Sequence, residues 1–208
     1  MSSLRLLLVR HGQTESNVNV VLDSLPPGPP LTQLGRQQAA ELAERLAAEP
    51  VTAVYASTAL RARETAAPVA ARHGLEVRVT DGLHEVFCGD FEGSNTRADI
   101  EAFVGVYRAW HAGDVELQVP GGESGRQLLE RFLPVVSGIG MEHADGVVVL
   151  VSHSAALRLV GRTLASNVSG PFADSHVLPN CQWITLEADG DGWRCLDWAG
   201  THPPQEGA

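Results

Sequence analysis

Two short words in this 208-residue sequence set a histidine at the end of an apolar run: Arg10-His11-Gly12 and Ser152-His153-Ser154. Leu4-Arg5-Leu6-Leu7-Leu8-Val9 leads into the first, and Gly146-Val147-Val148-Val149-Leu150-Val151 into the second. A third, weaker run, Val51 to Ala56, ends at Ser57-Thr58, close to Arg61. Imidazole supplies a nucleophile or proton carrier near neutrality, and guanidinium supplies a planar fork for an anion. A guanidinium at a buried strand end, as at Arg10, requires an acceptor. Taken singly, each of these residues is ordinary loop punctuation. Their meaning depends on whether one fold brings them together.

Charge narrows the chemistry. The chain has 15 basic and 25 acidic residues, a formal net charge of −10, and every basic residue is arginine. Schiff-base chemistry on lysine is therefore excluded, duplex nucleic acid is repelled on average, and an anionic substrate must meet a local arginine cluster. The eight histidines form no H-x-x-x-H or H-E-x-x-H pair, so no metal site is expected. A phosphate-binding G-x-x-x-x-G-K-[ST] loop is also missing. Cys88, Cys181 and Cys195 are odd in number and widely spaced, which indicates neither a disulfide framework nor zinc and fits a reducing cytoplasm. The N-terminal apolar run is far shorter than the ~20 residues of a membrane span and lacks a signal-cleavage site, so a soluble protein that is not exported is expected.

The elements that must position these groups follow from periodicity. The near-continuous apolar runs read as strands buried on both faces. Thr32 is an N-cap for a helix with Leu34, Ala39, Leu42, Ala43 and Leu46 on one face, and further helices follow Ala59, Ala98, Glu123 and Ser154. This alternation predicts an α/β fold, a mostly parallel central sheet with helices on both faces. Cys181–Leu186 and Trp193–Trp198 flank Asp189-Gly190-Asp191-Gly192, a hairpin signal that adds an antiparallel edge. Pro68 and Pro134 fall inside helical stretches, where each helix should kink, start later or break. Leu25-Pro26-Pro27-Gly28-Pro29-Pro30-Leu31 reads as a stiff surface loop. Residues 1–200 read as one domain and 201–208 as a frayed tail. Open α/β sheets bind ligands at the carboxyl ends of their parallel strands, which puts His11, Arg61 and His153 on one edge.

The ordered set Arg10-His11-Gly12-Gln13-Thr14 with Asn17, Leu31-Thr32 to Gly35-Arg36, Ser57 to Arg61 with Thr65-Ala66, Glu85, Pro120-Gly121-Gly122-Glu123-Ser124 and His153 resembles the histidine phosphatase superfamily, which includes the cofactor-dependent phosphoglycerate mutases. The resemblance runs from Leu6 to about Leu164. It implies that His11 attacks phosphorus and becomes a phosphohistidine, while Arg10, Arg61 and His153 surround the transferring phosphoryl group. Those neighbours would also disfavour the cationic form of His11. Asn17, Thr14, Ser154 and backbone N–H groups around Gly12 are the implied substrate contacts. The implied proton donor to the leaving alkoxide is Glu85, which would later deprotonate the attacking water. Glu92 and Asp90 are its rivals, with Glu92 better suited to a structural turn.

Thr32, Gly35, Thr65 and Glu123 read as framework. Pro120–Ser124 is open between a substrate-facing loop and a plain helix start. The chain departs from the family pattern at Ser154, where glycine is common, at Cys88 and Phe91, and along the proline-rich stretch from Leu25 to Pro30. The absence of lysine favours hydrolysis of a small phosphorylated substrate over phosphoglycerate mutase-type transfer. A non-catalytic binder of a phospho-ligand or protein is the other alternative. No cofactor is expected, because the histidine route needs no magnesium, and a homodimer is left open.

Overall fold

The computed structural model describes residues 3–190 and 192–204. Six strands, β1 (Arg5–Arg10), β2 (Val51–Ala56), β3 (Val77–Val79), β4 (Val147–Ser152), β5 (Trp183–Asp189) and β6 (Gly192–Trp198), form one sheet in the order β3-β2-β4-β1-β5-β6. The four strands from β3 to β1 are mutually parallel, and β5 and β6 add the antiparallel edge. All six residues of β4 are buried, which is why its first five, Val147–Val151, are an unbroken apolar run.

Seven helices accompany the sheet among the described residues: α1 (Glu15–Val18), α2 (Gln33–Arg45), α3 (Leu60–Arg72), α4 (Arg97–Ala112), α5 (Gly125–Glu142), α6 (Ser154–Leu164) and α7 (Gly170–Ser175). Alternation along the strands divides the apolar residues between two cores. Leu7, Val9, Val54, Val149 and Val151 pack on Leu42, Leu46, Ala66 and Val69 of α2 and α3. Leu6, Leu8, Leu150 and Ile184 pack on the other face against Trp110, Phe132, Leu157 and Val160 of α4, α5 and α6.

The helices expected after Thr32 and Ala59 start there, α5 starts at Gly125 close to its expected place after Glu123, and α4 and α6 start at Arg97 and Ser154, a residue or two before the positions expected. Thr32 caps α2 by accepting from Gly35 N–H, and Ser124 and Gln127 form a capping box on α5. Of the outcomes expected at the prolines, a later start and a break are excluded, since α3 and α5 run through Pro68 and Pro134. Pro134 is exposed and Pro68 half-exposed, so the carbonyls that each ring leaves without a donor lie on the watered side of the helix.

The hairpin joins Asp189 to Gly192, with Asp191 of the expected turn outside the described residues. Of the tail expected from Thr201, residues 201–204 are described. Thr201 exchanges main-chain hydrogen bonds with Trp198, and Pro203 is buried; residues 205–208 lie outside the described residues.

Candidate active site

The carboxyl ends of the parallel strands converge. His11 follows β1, Ser57 and Arg61 follow β2, Glu85 lies in the loop after β3, and His153 follows β4. In the β1–β4 ladder Arg10 pairs with Ser152, so the next residue on each strand is a histidine. The two rings stand 5.1 Å apart at 61°, close to the ~4.8 Å between neighbouring strands. Arg10, His11, Thr14, Asn17, Arg61, Glu85, His153 and Ser154 all line one cavity of about 120 Å³. That is a few times the ~30 Å³ share of one water, which suits a group the size of a phosphoryl.

His11 is buried, and its Nδ1 lies 2.7 Å from the carbonyl oxygen of Gly12. A carbonyl only accepts, so Nδ1 carries the proton and Nε2 is left with its lone pair. Burial, then the charges of Arg61 and Arg10, hold the imidazole well below the usual histidine range, against the opposing pull of the Gly12 hydrogen bond. His153 shares a 2.9 Å hydrogen bond between Nε2 and Ser57 Oγ. Burial, Arg61 and His11 keep it neutral as well.

Three polar atoms of these cavity-lining residues are buried without a protein hydrogen-bond partner: Arg10 Nε, Arg61 Nη1 and His153 Nδ1. Buried polar atoms normally find a partner. Here the other ends of the guanidiniums are anchored, Arg10 Nη1 on Leu178 O at 2.8 Å and Arg61 Nη2 on Asp23 O at 3.0 Å. Arg61 Nη1 lies 3.6 Å from Asp23 Oδ1, an ion pair too long for a hydrogen bond.

The supporting contacts fix these groups. Thr65 Oγ1 accepts the Gly12 N–H at 2.9 Å and donates to Arg61 O at 2.7 Å, tying β1's end to α3. The Gly12 amide is thereby occupied, and Gly12 does not line the cavity. Its small size serves another contact, because a Cβ there would lie 2.6 Å from Gly35 O at the start of α2. Asn180 donates to His11 O at 2.9 Å and to Asn17 Oδ1 at 3.1 Å. Asn17 Oδ1 also accepts from Thr14 N–H, which leaves the carboxamide nitrogen as the side chain's free end. The Ser154 hydroxyl turns to Leu178 O at 3.4 Å, so a side chain is accommodated at that position.

The Glu85 carboxylate sits on the N-terminus of α6, with Oε2 accepting from Ala155 N–H at 3.1 Å and Oε1 from Ala156 and Val86 N–H at 2.9 Å each. Neither Asp90 nor Glu92 lines the cavity. Glu92 instead holds Ser24, accepting from its N–H at 2.8 Å and from its hydroxyl.

Asp23, Asn180 and Arg131 were not singled out in the sequence. Arg131 donates to the carbonyls of Gly82, His84 and Glu85 while pairing with both oxygens of Glu123. Such work on main-chain atoms leaves no motif. For Asn180, a polar amide just before the strand that pairs with β1 was the available signal.

A neutral imidazole beside a second imidazole and two guanidiniums, with donors left unmet, is an anion site built around a histidine. Residues 6–201 match the histidine phosphatase superfamily (branch 1), and the chain belongs to that family. Glucosyl-3-phosphoglycerate phosphatase of Mycobacterium tuberculosis is 30% identical over 210 residues, covering 95% of this chain and 93% of that protein. A solved structure of mycobacterial glucosyl-3-phosphoglycerate phosphatase with VO3 is 29% identical with a TM-score of 0.80, covering 97% of this chain and 100% of the other. The PE-PGRS family protein PE_PGRS11 of M. tuberculosis is 32% identical over 95% of this chain, which spans only 37% of that longer protein. Among the described residues, no helix is long and apolar enough to cross a membrane.

Proposed function

We propose that the chain hydrolyses phosphomonoesters through a covalent phosphohistidine on His11. Nε2 attacks phosphorus and the ester P–O bond breaks. Glu85, carrying a proton taken from the incoming ester monoanion, gives it to the departing alkoxide, then removes one from the water that cleaves the N–P bond and passes it to the departing phosphate, so both groups return to their starting states. Arg10, Arg61 and His153 hold the equatorial oxygens, where the charge of a loose transition state is spread. In this reading Asn17 adds a neutral donor, and Thr14 and Ser154 shape the wall.

The observation that carries the reading is the unmet donors on Arg10 and Arg61, with the unpartnered Nδ1 of His153, around an imidazole kept unprotonated. The relatives named as phosphatases, one of them solved with VO3, support it.

The test is hydrolysis of 4-nitrophenyl phosphate in the presence of a chelator, with an acid-free quench and intact mass measurement. One added phosphoryl group on the wild type and none on His11→Ala is expected. Full turnover by His11→Ala, or activity that appears only with added metal, would overturn the proposal.

A further inference from the structure

A second and larger cavity, of about 560 Å³, adjoins the first, and Glu85 lines both. If Glu85 protonates the leaving oxygen, the alcohol it belongs to extends from the small cavity into the large one. The lining of that second cavity therefore bears on which alcohols fit.

One wall is apolar. Leu25 and Phe87 are 49% and 38% exposed, and Pro26 beside them is exposed too, so these side chains present unpartnered hydrophobic surface to the cavity. The wall is held at both ends. Ser24 is fastened to Glu92 and receives the Cys88 amide on its hydroxyl at 3.1 Å, and Pro27 O accepts the Leu60 N–H at 2.7 Å. A preorganised apolar surface gains free energy on covering without first having to be ordered.

The charged part of the lining is acidic and offers no free cation, beside the neutral Ser24, Thr58 and Gln127. Asp81, Glu85 and Glu123 contribute carboxylates, and no arginine among the described residues lines this cavity. Arg131 lies behind Glu123, but all five of its N–H donors are spent, two on Glu123 and three on the carbonyls of Gly82, His84 and Glu85. His84 is held below the usual histidine range by burial and by Arg131, so it adds no charge at neutrality.

We propose that this cavity receives the alcohol part of the ester and selects an apolar-bodied alcohol that carries no negative charge. The inference rests on the phosphatase reading above and narrows its substrate class. It also separates this chain from an ester of glycerate, whose carboxylate would enter beside Asp81 and Glu85 with no cation to meet it.

The experiment compares ethyl phosphate, hexyl phosphate and 5-carboxypentyl phosphate, whose leaving oxygens are electronically alike. Hexyl phosphate should exceed ethyl phosphate in kcat/KM by about tenfold, from partial burial of four more methylenes. The carboxylated ester should fall about tenfold below hexyl phosphate. Phe87→Ser should erase most of the hexyl advantage, read as the ratio of hexyl to ethyl kcat/KM within the variant. Asp81→Arg should shrink the carboxylate penalty several-fold, because this exposed side chain accepts a hydrogen bond from its neighbour Gly82 N–H and otherwise lies 3.8 Å from His84 Nδ1.

Equal or faster turnover of the carboxylated ester overturns the selectivity while leaving the phosphatase reading intact. A penalty that Asp81→Arg does not move, or a hexyl advantage that Phe87→Ser does not touch, removes this cavity as its source. Hydrolysis of none of the three, nor of 4-nitrophenyl phosphate, overturns the phosphatase reading and this inference with it.

Discussion

Thr65→Val isolates the contact that joins the nucleophile's loop to the helix bearing Arg61. Thr65 is fully buried, and its hydroxyl bridges Gly12 N–H and Arg61 O. Valine has nearly the same shape, so the substitution opens no cavity but strands the buried Gly12 amide. A stranded buried donor costs about 1–3 kcal/mol; the Arg61 carbonyl keeps its place in the α3 ladder and adds little. For a chain of this length, about 2 kcal/mol lowers Tm by roughly 4–8 °C.

Activity should fall as well. The carbonyl that fixes the His11 tautomer belongs to the same residue, Gly12, and slight misplacement of reacting groups is expensive, so kcat should drop about tenfold with KM nearly unchanged. Thr65→Ser keeps the hydroxyl and should restore both properties. The assays are thermal denaturation followed by circular dichroism, and steady-state phosphate release. A Thr65→Val protein that melts with the wild type, or a Thr65→Ser protein no better than Thr65→Val, would refute the bridge.

Three further outcomes are expected. Corrected for ionisation of the ester, near pH 6, kcat/KM should stay flat as pH falls through 6.5, because burial, Arg61 and Arg10 keep His11 unprotonated there; a one-proton loss centred at 6.5 contradicts this. His111 is buried with neither ring nitrogen partnered and is pushed down to about 4, so His111→Phe should stabilise the fold by about 1–2 kcal/mol at pH 7. Since the unfolded histidine takes its proton near 6.5 and the folded one only near 4, stability drains away as pH falls through that window, and urea midpoints should show a shallower decline in the variant. Arg131→Met removes the partner of Glu123 and the clamp on Gly82, His84 and Glu85, for which a loss of about 3 kcal/mol in chemical denaturation is expected; a loss under about 1 kcal/mol would mean the clamp is idle.

The legible parts of the molecule were those in which one residue type must sit at one place. Val147–Val151 could only be a strand covered on both sides, and Thr32 announced its helix by the amide it caps. Short or half-exposed elements gave no such signal. Val77–Val79 is three residues long with two of them exposed, and α7 is a six-residue helix, so neither shows a period. The prolines left several outcomes open because what matters is which side of the helix loses its donor, and that depends on packing. Among the site residues, Arg10, His11 and His153 stood at strand ends and Arg61 in the helix that follows one, so all four could be placed by topology. The part played by Gly12 could not, since its amide and its missing side chain meet Thr65 and Gly35, both distant in the chain.

The separation of the two imidazoles is inherited from adjacent strands, and nothing at the rim sets it. Descendants of such a scaffold are free to rewrite the segment around Leu25 or the surroundings of Phe87 while the anion site holds its dimensions. The ladder serves as a ruler and the loops as exchangeable fittings. Grafting a rim from a relative is thus the promising route to new specificities. A single residue inserted within β1 or β4 would advance one ring by ~3.3 Å and turn it to the opposite face, a displacement that no adjustment of the rim could undo.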